Sequence, residues 1–181
     1  MRNTWSIYRK ELKSYFASPI AYLLMAVFAL IFGYFFYAAT AIFVSRGMES
    51  QMMGRSMPMD VNEWVIRPLL MNVSVIALFV IPMITMRLFA EEKRSGTIEL
   101  LLTSPIRDIE IILGKWFAAL TLLAGILAVS AVNLGFLFMH GKPDWRPVLI
   151  GYLGLLLQGG ALLAIGTFIS TTTKNQIIAG G

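Results

Sequence analysis

The sequence has no cysteine, so no disulfide, thiol nucleophile or thiolate metal site can form, and the redox compartment leaves no mark on it. Histidine occurs once, at His140 beside Gly141 in a short connection, where a solvated side chain is the ordinary reading. Charge is scarce: Asp, Glu, Lys and Arg make up 14% of the chain, against about a quarter in soluble domains. No G-x-x-x-x-G-K-[ST] phosphate loop is present, so the chain has no such nucleotide site of its own. These absences leave little for an enzyme to work with, since catalysis needs positioned acids, bases, nucleophiles or metal ligands.

What the chain has in quantity is apolar surface, with 57% hydrophobic residues. Four segments contain no Asp, Glu, Lys, Arg or His: 20–45, 68–86, 116–139 and 147–173. Each is near or above the roughly 20 residues that carry a helix across a bilayer. The reading is an all-α membrane protein with four transmembrane helices. The remaining tail and three connections are too short to bury a centre of their own, so residues 1–181 are expected to form one membrane domain.

The net charge of +5 raises the question of nucleic acid, but the basic residues form no stripe and have no aromatic platform between them. They report orientation instead. Arg2, Arg9, Lys10, Lys13, Arg87, Lys93, Arg94, Arg107, Lys115 and Lys174 fall on one side of the four spans, and Arg46, Arg55, Arg67, Lys142 and Arg146 on the other. The more basic side faces the cytoplasm, so both termini and residues 87–115 are expected there.

At the amino terminus, residues 3–16 place Trp5, Tyr8, Leu12 and Tyr15 at steps of three and four, with Arg9, Lys10 and Lys13 on the remaining surface. This is an amphipathic helix, expected to lie along the cytoplasmic headgroup layer. The plainer alternative is a basic tail that only sets topology. Pro19 ends this helix and starts the first span, in which Ala29 and Gly33, four apart, leave room for a neighbouring helix. The connection from Arg46 to Arg67 holds Met48, Met52, Met53, Met57 and Met59. Thioethers suit Cu(I), but with no His or Cys beside them an apolar loop is the favoured reading, and no metal site is expected. Pro82 should kink the second span near its cytoplasmic end.

The longest charged segment runs from Arg87 to Lys115. Ser95 and Gly96 stop the preceding helix, Thr97 can cap a new one with Glu99 in its first turn, and Ser104 and Pro105 break it. The product is a cytoplasmic helix of about two turns with Ile98, Leu101 and Leu102 as an apolar foot. Asp108 can then cap a helix that runs through Lys115 into the third span. The foot suits a protein cleft; resting on lipid is the alternative.

Asn72, Asn133 and Gln158 are amides inside spans, where hydrocarbon demands a partner; helix-to-helix hydrogen bonding is favoured over contact with a transported molecule. The fourth span also carries Gly151, Gly154, Gly159, Gly160, Ala164 and Gly166, spread around the helix as if for more than one neighbour.

From Ile81 to Leu123 the chain resembles the permease subunits of ABC-2 type transporters, with the nearest similarity to the gliding-motility-associated ABC permease group. The string E-E-K-R-x-G-T-I-E-L-L-L-T-x-P from Glu91 to Pro105, followed by Lys115, carries the resemblance, and the opening from Tyr8 to Phe28 is similar to the same group. The resemblance implies that 96–105 is a coupling helix docking in a separate ATPase subunit, with Glu92, Gly96, Thr97, Glu99, Leu101, Leu102, Pro105 and Lys115 at the motif positions, and that the amino-terminal helix is interfacial. It also implies a second permease chain, ATP and Mg held by the partner ATPase rather than by this chain, and a multi-pass place in a bacterial inner membrane. Family members usually have six spans, and KNQIIAGG falls where a fifth would begin, so a C-terminal truncation is expected.

The leading function is therefore the membrane half of an ATP-driven transporter. A non-transporting membrane scaffold or anchor for an ATPase-driven envelope assembly is the alternative, since a helix that grips an ATPase looks the same in both.

Overall fold

The structure, a computed structural model, describes residues 2–54, 60–85, 107–140 and 143–172. Among them are five α-helices and no strand: α1 (Arg2–Ala17), α2 (Pro19–Met52), α3 (Arg67–Thr85), α4 (Asp108–His140) and α5 (Trp145–Thr172). Four stretches are long and apolar enough to cross a membrane: Ala21–Met52, Asn62–Thr85, Ile109–Met139 and Trp145–Ser170. The expected all-α membrane architecture with four spans is what the described residues adopt.

Local chemistry sets the breaks. The backbone N–H of Ser18 closes α1 on the carbonyls of Ser14 and Tyr15, both at 3.2 Å. Pro19 then opens α2, a position where its missing N–H costs nothing. The helix does not stop at Ser45, as the onset of polar residues led one to expect, but continues through Arg46 and Glu49 to Met52. Its true stop is Gly54, at φ +64°, whose N–H bonds back to Gln51 while that of Met53 bonds to Glu49. Glycine enters this left-handed region without a Cβ clash. The first seven residues of the expected methionine loop, 46–52, are thus helix, with Met48 and Met52 among them; Met57 and Met59 are among residues 55–59, which lie outside the described residues.

The second span also starts earlier than Pro68. A π-helical turn, Asn62–Ile66, runs straight into α3, with the Arg67 N–H reaching back five residues to the carbonyl of Asn62. Pro68 offers no N–H to the preceding turn, and a local widening is a known response to such a gap in the ladder. Asp60 seats the turn by accepting the Asn62 N–H at 2.9 Å. Arg46 lies over the Trp64 ring, 4.8 Å from its centroid, tying the end of α2 to this turn. Pro82 is inside α3, and the Thr85 hydroxyl donates to its carbonyl at 3.2 Å.

The helices pack around α4, whose Ala119, Leu122, Leu123 and Ile126 are buried in one cluster with Phe28 and Phe32 of α2, Ile81 of α3 and Leu163 of α5. The outside is as apolar as the inside, with Leu30, Phe79, Val132 and Phe168 exposed, as suits a bundle solvated by lipid. Small residues set the close approaches. A Cβ built at Gly166 would lie 2.6 Å from the Thr85 side chain, and Gly151 faces Leu70, so α3 and α5 run side by side in the same direction. Gly159 faces Leu123 and Gly160 faces Trp116, which joins the same helix to α4. The fourth span does have two neighbours, as its scattered glycines implied. Gly33 differs: nothing among the described residues lies within 4 Å of a Cβ there, so no described helix uses the gap.

Candidate functional site

One end of the bundle gathers α1, the start of α4 and the ends of α3 and α5. Here Lys115 is only 1% exposed. Its Nζ donates to Glu11 Oε1 of α1 at 3.1 Å, and the two side chains are 2% and 14% exposed. A buried ammonium is costly unless paired, and here the partner arrives from the other end of the chain.

The pair sits in a wider contact between α1 and the first turns of α4. Ile7 is buried against Gly114, where a Cβ would lie 2.8 Å from Ile7 Cγ2 and 3.0 Å from the Thr4 carbonyl. Only glycine lets the two backbones come this close. Tyr8 Oη and Thr121 Oγ1 share a hydrogen bond at 3.2 Å, and Asn3 Nδ2 donates to Glu110 at 3.2 Å. On the far side of α4, the indole N–H of Trp116 donates to the carbonyl of Gly160 in α5 at 3.1 Å.

Of the residues read from the sequence as a coupling site, Lys115 is the one among the described residues. Glu92, Gly96, Thr97, Glu99, Leu101, Leu102 and Pro105 lie outside them. In α1, Trp5 is 60% exposed and stacks on Tyr8 at 5.0 Å, while Tyr8, Leu12 and Tyr15 are half-buried. The face that meets α4 is centred on Thr4, Ile7 and Glu11, rotated by roughly 90° from the aromatic face read from the sequence. Sequence reasoning missed Ile7 and Glu11 because a polarity pattern sends Glu11 outward. The signal that was available is Lys115, a lone cation at the root of a span, which required an acid somewhere.

The amides divide. Gln158 Oε1 accepts the Ser74 hydroxyl at 2.6 Å, a hydrogen bond between α5 and α3 of the kind expected of a polar group in a span. Asn72 and Asn133 are half-buried on α3 and α4. A further polar tie, Ser130 Oγ to Tyr152 Oη at 2.6 Å, joins α4 to α5 and involves neither.

These features define a polytopic helical membrane protein with a buried ion pair, among the described residues, at one end of the bundle. A family model described as ABC-2 family transporter protein matches residues 5–180, nearly the whole chain. The chain belongs to that family, and it is a permease component of an ABC transporter, a part of the transport machinery that is not itself catalytic. No curated protein and no solved structure matches it.

Proposed function

We propose that the chain is the transmembrane permease subunit of an ABC-2 type transporter that couples ATP hydrolysis by a separate ATPase subunit to movement of substrate across a bacterial inner membrane. Two permease chains pair, each offering the segment 87–115 to an ATPase subunit that holds ATP and Mg. Both termini and this arm are cytoplasmic, by the excess of Lys and Arg there. Within that family we read it as a member of the gliding-motility-associated group, a reading supported by the similarity of 91–105.

The observation that carries the reading is the burial of Lys115 against Glu11, taken with the family match over 5–180. The arm enters α4 at Asp108, and Lys115 fastens the first turns of that helix to α1, so a push delivered through the arm moves α1 and the root of α4 as one body. A rigid lever of this kind can switch a bundle between two packings. The test is copurification with an ATPase encoded beside this chain, followed by reconstitution. Leu101→Glu or Gly96→Pro should abolish stimulation of ATPase activity while the permease stays in the membrane; stimulation equal to the parent protein's would refute docking through this segment.

A further inference from the structure

Packing against α4 uses one side of α1 and leaves the other side with charge of a single sign. The side spent is Thr4, Ile7 and Glu11, and Glu11, the one acid in the helix, is taken up by Lys115 at 3.1 Å. Arg9, Lys10 and Lys13 remain, all exposed, and no acid among the described residues pairs with them. At about 100° per residue, Trp5, Leu12 and Phe16 fall within roughly 40° of one another on the free side, and Arg9 and Lys13 extend that surface about 40° and 80° beyond Trp5. Arg9 and Lys13 are four residues apart, so their Cβ atoms stand about 5–6 Å from each other, close enough for one phosphate to meet both side chains.

The apolar strip shows which way the bilayer lies. Trp5 is 60% exposed, and the exposed Phe16 ring meets Tyr22 of α2 edge-on at 6.2 Å. Tyr22 is exposed as well, and Leu23, Val27 and Leu30 carry exposed apolar surface onward into the span. An aromatic line thus joins α1 to the lipid-facing side of α2, at the level where Trp and Tyr rings sit between headgroups and tails. Cations one row from that line stand at the depth of lipid phosphates, with their methylene stems along the apolar strip. An acidic patch on a soluble protein would have to enter the headgroup layer to reach them.

We propose that α1 binds an anionic phospholipid, with its phosphate and headgroup charge held by Arg9 and Lys13 and the upper part of an acyl chain lying along Trp5, Leu12 and Phe16. The unopposed positive charge selects an anionic over a zwitterionic headgroup. Each Lys or Arg close to an anionic surface adds roughly fivefold in affinity, so the two together add about 25-fold. The site is defined by lipid alone, so it stands whether or not the segment 87–115 engages an ATPase.

The test titrates the full chain in detergent with phosphatidylglycerol or with phosphatidylcholine of the same acyl chains and counts bound lipid by native mass spectrometry. Phosphatidylglycerol should bind at least tenfold tighter. Arg9→Gln/Lys13→Gln should remove that preference, whereas Arg67→Gln/Arg146→Gln, which deletes the same charge at the other end of the bundle, should leave it intact. Gln is nearly as good a helix former as Arg and Lys, so α1 is retained in the variant. A second measurement needs no substitution: in nanodiscs, acetylation of Lys13 should slow at least fivefold when phosphatidylglycerol replaces half of the phosphatidylcholine, while that of Lys10, turned away from the apolar strip, slows less than twofold. Equal binding of the two lipids, a preference untouched by Arg9→Gln/Lys13→Gln, or equal protection of the two lysines overturns the proposal. An untouched preference together with loss of ATPase copurification in that variant would assign the face to the ATPase subunit instead.

Discussion

Lys115 and Glu11, 104 positions apart in the chain, meet at 3.1 Å where α1 crosses the root of α4. The next residue, Trp116, bonds α5 through the carbonyl of Gly160. Two consecutive side chains therefore clamp α4 from opposite sides, just after the charged connection enters it.

Removing one member of the buried pair should be worse than removing both. Lys115→Met or Glu11→Leu alone is expected to destabilise by about 3 kcal/mol or more, because each leaves an uncompensated charge, whereas the double substitution restores most of the loss. Thermal unfolding of the four proteins in detergent closes the cycle. A double variant no more stable than the worse single would contradict the pairing.

Gly114 is required for the approach of α1. Gly114→Val should displace α1 from α4, since a Cβ already falls 2.8 Å from Ile7 and 3.0 Å from the Thr4 carbonyl. Because the chain has no cysteine, Asn3→Cys and Glu110→Cys can be introduced without background and joined by a short bis-maleimide. Efficient cross-linking in the parent and its loss with Gly114→Val is the expected result.

Two glycines in spans should respond with opposite sign. Gly166→Ala drives a methyl into Thr85 at 2.6 Å and should cost about 1–3 kcal/mol by overpacking. Gly135→Ala meets nothing within 4 Å and should leave stability unchanged or raise it by up to ~1 kcal/mol through helix propensity. Melting temperatures of the two variants measure both.

Ser74→Ala deletes the bridge between α3 and α5 and leaves the Gln158 amide oxygen short of a donor. Interhelical hydrogen bonds in membranes are worth roughly 0.6–2 kcal/mol. Gln158→Leu on top of Ser74→Ala should therefore add little further loss, which unfolding of both variants would show.

The spans were legible because hydrocarbon imposes one simple demand, length without charge, and the sequence meets it four times. The boundary at Pro19 was legible too, since a residue without an N–H can only begin a helix cheaply. The overrun of α2 was not: polar residues after Ser45 looked like a loop, yet Arg, Glu, Gln and Met are good helix formers, and the stop is the left-handed Gly54. Glu11 was hidden for a different reason. Its burial is favourable only through Lys115, and no local pattern reports a partner that far along the chain. Ser74 escaped likewise, because a hydroxyl in an apolar run draws no notice until its acceptor on another helix is known.

The length of α2 has an architectural consequence. Its 34 residues make a rod of roughly 51 Å, against about 30 Å of hydrocarbon. Even leaning by 40°, the upper end of the usual range, it would rise roughly 9 Å clear of the lipid tails. The polar residues of this helix lie at its far end, 46–52, so a surplus of that length would stand there as a small mast, braced by Trp64 against Arg46.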